Sequence, residues 1–134
     1  FSYELGVVTV QSDNEYITVG LSPLDDAVLS ESSRILIQTG TTYRPTGWKE
    51  EEASFVLRGD SVQGYRILNT GSMPWMAAPT LTRIALANPN INRAFLLDAA
   101  GYKKSEIPLK RKGDSVELEL PSEALYVVLL SEKE

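Results

Sequence analysis

Short runs of alternating or wholly apolar residues, rich in Val, Ile, Leu, Thr and Tyr, recur along this chain at roughly the ten-residue spacing of all-β domains, broken by turn residues. Glu4–Val10 alternates, Ser12-Asp13-Asn14 turns, and Tyr16–Leu21 alternates again, which predicts a first hairpin. Ser22 and Pro23 could cap a helix, but the run to Ser30 is short for one and reads as a turn. Ile35-Leu36-Ile37 reads as a core strand covered on both faces. Phe55–Leu57 and Tyr65–Leu68 read as short strands around Arg58-Gly59-Asp60, and Asn69–Ser72 as a turn. Leu81–Ala87 and Ile91–Leu97, across Asn88-Pro89-Asn90, predict another hairpin. Asp98–Gly101 turns, and Pro108 argues for a sheet margin. In Val116–Leu120 the three apolar residues face inward and Glu117 and Glu119 outward. Leu125–Leu130 suits a central strand, and Ser131–Glu134 is a charged end.

About nine or ten strands and no long helix imply a single all-β domain, an antiparallel β-sandwich of jelly-roll or immunoglobulin-like type, with a barrel as the alternative. Between Thr39 and Glu52 the periodicity lapses, which predicts a long surface loop. That loop collects Tyr43, Arg44, Trp48, Lys49 and three consecutive glutamates, with Trp75 as a further member in space. Aromatic faces pack against the C–H faces of sugar rings, while Arg and carboxylates bond hydroxyls. On this reading Trp48 and Tyr43 are stacking platforms, Arg44 and Glu50 hydroxyl partners, and Trp75 a secondary platform. The competing reading folds both tryptophans inward and leaves Glu50–Glu52 as a solvated charge run.

Composition closes several chemistries. The 134 residues include no Cys and no His, so the chain cannot build a Cys/His zinc site, a thiol nucleophile or a Ser-His-Asp triad. Thirteen basic residues against 18 acidic ones give a net charge of −5, which repels nucleic acid. No apolar run approaches the ~20 residues of a membrane span. No nucleotide-binding or nucleophile-elbow motif occurs, and no pair among the many carboxylates stands out for glycoside hydrolysis. No cofactor is expected. A structural calcium ion could be held by Asp13, Asn14 and Glu15 or by Asp98, but turn formation is the better explanation of these residues. The start at Phe1, already strand-like, reads as a cut from a longer polypeptide.

Glu31–Thr42 followed by Gly47-Trp48, the segment Gly71-Ser72-Met73-Pro74-Trp75 with Pro79 beyond, the run Phe95–Tyr102 and the strand Leu125–Leu130 together resemble the terminal β-sandwich domains of large bacterial glycoside hydrolases. The resemblance covers about Leu5 to Leu130. It implies a non-catalytic accessory domain whose partner is a (β/α)8 catalytic barrel carrying the acids, and a secreted or periplasmic setting. Three roles follow as expectations. One is a module packed on the barrel that contributes to its substrate cleft through Tyr43–Trp48. The others are a carbohydrate-binding module on an oligo- or polysaccharide and an adhesion-type interaction domain.

Overall fold

The computed structural model describes residues 1–132, so Lys133 and Glu134 of the expected charged end lie outside the described residues. The chain is all-β, and among the described residues it divides into two compact units. One comprises Phe1–Thr41 and the stretch from Pro79 onward; the other is Thr42–Ala78.

The first unit is the β-sandwich. One sheet runs β1 (Ser2–Leu5), β2 (Val8–Ser12), β9 (Thr82–Ala87), β13 (Ser115–Glu119), β12 (Lys110–Lys112). The other runs β11 (Lys103–Ile107), β10 (Arg93–Leu97), β14 (Tyr126–Leu130), β4 (Arg34–Thr41), β3 (Ile17–Pro23). All pairings are antiparallel, and neither sheet closes into a barrel.

Period-two alternation builds the core. Val8, Val10, Ile84, Leu86, Val116 and Leu118 point inward from the first sheet and meet Ile35, Ile37, Ala94, Leu96, Val127 and Leu129 from the second. Val116, Leu118 and Leu120 are buried as their spacing predicts, and β14 is central, between β10 and β4.

The expected hairpins are corrected. Gly6, at φ 65°, breaks the run Glu4–Val10 into β1 and β2, which pair with each other. β2 then continues the first sheet through β9, whereas β3 joins the second beside β4. β9 and β10 likewise lie in different sheets. Asn14 and Asn88 explain how the chain crosses. The Asn14 side-chain oxygen accepts from the Leu81 N–H at 2.7 Å and its amide donates to Pro79 O at 2.7 Å. Asn88, fully buried, donates to Leu29 O (2.7 Å) and Ser32 O (2.9 Å) and accepts from the Asn90 N–H (2.8 Å). Each turn is tied by a side chain rather than by strand pairing.

Residues 24–33 form no helix, as read from sequence. Their anchor is Asp25, which accepts from the Ser33 N–H at 2.8 Å, the Ser33 hydroxyl at 2.9 Å and the Ala27 N–H at 3.4 Å.

The second unit is a β-ribbon, not a loop. β5 (Tyr43–Thr46) pairs with β8 (Ser72–Ala77), and β6 (Lys49–Leu57) with β7 (Asp60–Asn69). Arg58 and Gly59 turn β6 into β7 with φ of 52° and 93°, the positive pair that a type I′ hairpin turn requires. The long strands were hidden because both faces of the ribbon are exposed, so no alternation of apolar and polar residues marks them.

Candidate functional site

All five candidate residues, Tyr43, Arg44, Trp48, Glu50 and Trp75, fall in the ribbon. Two devices hold its base. Between Pro45 and Thr46 the register shifts, so that Pro45 faces Trp75 and Thr46 faces Ser72, with Met73 and Pro74 bulged between them across a cis peptide bond. The Thr46 hydroxyl donates to Pro74 O at 2.7 Å and the Trp48 N–H to Pro45 O at 3.1 Å. At the ends of the unit, the Ala78 N–H donates to Thr42 O at 2.9 Å.

Register sorts the candidates onto two faces. Tyr43 and Pro45 alternate with Arg44, so Tyr43, Pro45 and their partners Ala77 and Trp75 share one face, while Arg44 and Met76 share the other. The Arg44 guanidinium lies 5.3 Å from the Trp48 ring centroid. The Trp48 indole N–H donates to the Glu50 carboxylate at 2.8 Å. Arg44 also donates to Tyr43 O at 3.0 Å. Arg44, Trp48 and Glu50 are thus one interlocked cluster, and a cation already lies against the Trp48 ring.

Trp75 and Tyr43 stand apart from that cluster. Trp75 is 56% exposed and Tyr43 41%; Met73, in the bulge, is 74% exposed, and Met76, on the Arg44 face, 57%. The ribbon base therefore offers a free indole, a phenol and two thioethers. Neither methionine is a candidate on sequence grounds, although Met73 precedes Pro74 within the segment Gly71–Trp75 and Met76 follows it.

Farther along, Glu51 pairs with Arg66 at 3.4 Å and the Gln63 amide donates to the Ser54 hydroxyl at 2.8 Å. The Phe55 ring lies over Gly64, close enough that a Cβ there would sit 3.4 Å from it. Of the carboxylates and amides considered for calcium, Asn14 Oδ1 accepts from Leu81 as described, and Asp98 Oδ1 accepts from the Ala100 and Tyr102 N–H groups at 2.9 Å each. Both act as turn acceptors. No family model, curated protein or solved structure matches this chain.

Proposed function

We propose that this chain is a non-catalytic accessory β-sandwich module whose ribbon base, through Tyr43, Trp75 and the bulged Met73, docks on a partner protein. Following the resemblance, that partner is the (β/α)8 catalytic domain of a glycoside hydrolase, and the module would line part of its substrate cleft. The observation that carries the reading is the exposure of Trp75 and Met73 on β8, with the exposed Tyr43 on the same face as Trp75. An aromatic ring with a flexible thioether near it gives a large and adaptable contact area, and both residue types are enriched at interfaces.

The test is thermal unfolding of the longer polypeptide that joins this module to its catalytic domain. A docked module unfolds in one transition with that domain. Changing Trp75→Ser and Met73→Ser should split it into two while leaving the module's own midpoint nearly unchanged. A single transition unaffected by these changes defeats the reading.

Carbohydrate binding is the second reading, supported by Trp75 and Tyr43 sharing one face of the ribbon. Tryptophan fluorescence titration of the chain with plant, algal and host-derived oligosaccharides tests it. A saturable change lost in Trp75→Ala and kept in Trp48→Ala would favour it over docking.

A further inference from the structure

We propose that the outer edge of β7 is a homodimer interface, at which two copies of this chain pair antiparallel about Gln63 and join their ribbons into one four-stranded sheet. This goes beyond docking through the ribbon base and uses different residues.

The sandwich protects its edges. β12 is three basic residues, β11 carries Lys103 and Lys104, β1 has four residues and β3 stops at Pro23. β6 and β7, with 9 and 10 residues, contain no proline and pair only with each other among the described residues. Their outer rows of N–H and C=O groups form a template for another strand.

Hairpin geometry says which groups point outward. A two-residue turn makes Leu57 and Asp60 a hydrogen-bonded pair, so Ser61, Gln63, Tyr65 and Ile67 turn their backbone groups away from β6. A two-fold axis at Gln63 then sets Gln63 against the partner's Gln63 and Ser61 against the partner's Tyr65, each able to exchange backbone bonds.

Charge selects this centre. About Gln63, Asp60 falls opposite the partner's Arg66 and Arg66 opposite the partner's Asp60, two cross-strand opposite-charge pairs related by the axis. β6 has no equivalent. Its cation Lys49 can meet Glu51 of a second β6 only in the register that sets Glu50 against Glu50.

Packing agrees. On the face that carries Asp60 and Arg66, Val62 comes opposite the partner's Gly64, the bare position over which the Phe55 ring leans. Phe55 and Val62, 40% and 44% exposed, would then form one apolar row across both copies.

Sedimentation velocity over a concentration series tests the proposal. The wild-type chain should dimerise. Gln63→Pro removes an outward N–H without touching a β6–β7 backbone bond, losing only the side-chain bond to Ser54, and should abolish the dimer. Asp60→Arg and Arg66→Asp should each weaken association about tenfold or more, since each sets like charges face to face twice. An equimolar mixture of these two variants restores both opposite-charge pairs and should dimerise again. Amide spectra of the sandwich residues check that each variant is folded. A wild-type chain that stays monomeric, assembles beyond a dimer, or dimerises undisturbed by Gln63→Pro overturns the proposal, as does a variant mixture that stays monomeric.

Discussion

The Thr46 carbonyl oxygen lies where a side chain on Gly71 would begin: a Cβ there would sit 2.5 Å from it. The same atom would be 3.0 Å from Pro45 Cβ and 3.0 Å from the Trp48 nitrogen, and Gly71 has φ of 68°. Backbone lies on two sides, so nothing flexible can give way.

Gly71→Ala should therefore open the ribbon base, at a local cost on the order of 2 kcal/mol or more from backbone conformation and overlap. Hydrogen exchange of β5 and β8 amides checks it. Protection there should fall while that of β9 and β13 holds.

Ile84 is fully buried on β9, opposite Leu118 of β13 and Val10 of β2. Ile84→Ala should cost roughly 2–5 kcal/mol, because a rigid two-sheet core collapses only partly around the space left. Urea unfolding followed by circular dichroism measures it. A loss below about 1 kcal/mol would mean that the two sheets close around the gap.

Asn88 bonds three backbone groups from inside the core. Asn88→Ala strips Leu29 O and Ser32 O of their side-chain donor, and should destabilise by about 2–4 kcal/mol. Asn90→Ala, whose exposed amide donates to Glu31 O at 2.9 Å, should cost much less. Comparing the two by chemical denaturation separates burial from mere bonding.

The Ser32 hydroxyl, then the Ser33 N–H, hold the Asp25 carboxyl down at about 2. A carboxylate with a lowered folded-state pKa contributes stability that is fully present above its unfolded value, about 3.9, and is lost as pH falls through the folded value. Asp25→Asn should lower the midpoint at neutral pH, with the gap to wild type narrowing from about pH 4 and closing near pH 2. A gap constant across that range would show that Asp25 acts by shape and not by charge.

Much of the sandwich was legible because burial on one face imprints alternation: Val116, Leu118 and Leu120 name their own orientation. Pairing was not. Alternation says which side chains are buried but not in which sheet, and β2 and β3, or β9 and β10, though consecutive, lie in opposite layers. The bonds of Asn14 and Asn88 tie the two crossings, and they reach 67 and 59 residues along the chain. The candidate residues could be picked out by type. Their division between two faces follows from the pairing of β5 with β8, which no composition reveals.

The hydrogen bond from Ala78 to Thr42 brings the two ends of the ribbon together, and neither five-stranded sheet draws a strand from between them. The segment is thus a cassette: a short turn could replace it with both sheets retained, and the ribbon could be carried as a unit into a loop of another scaffold. Surface chemistry in this chain can change by exchanging one contiguous stretch from which the described core cluster draws no residue.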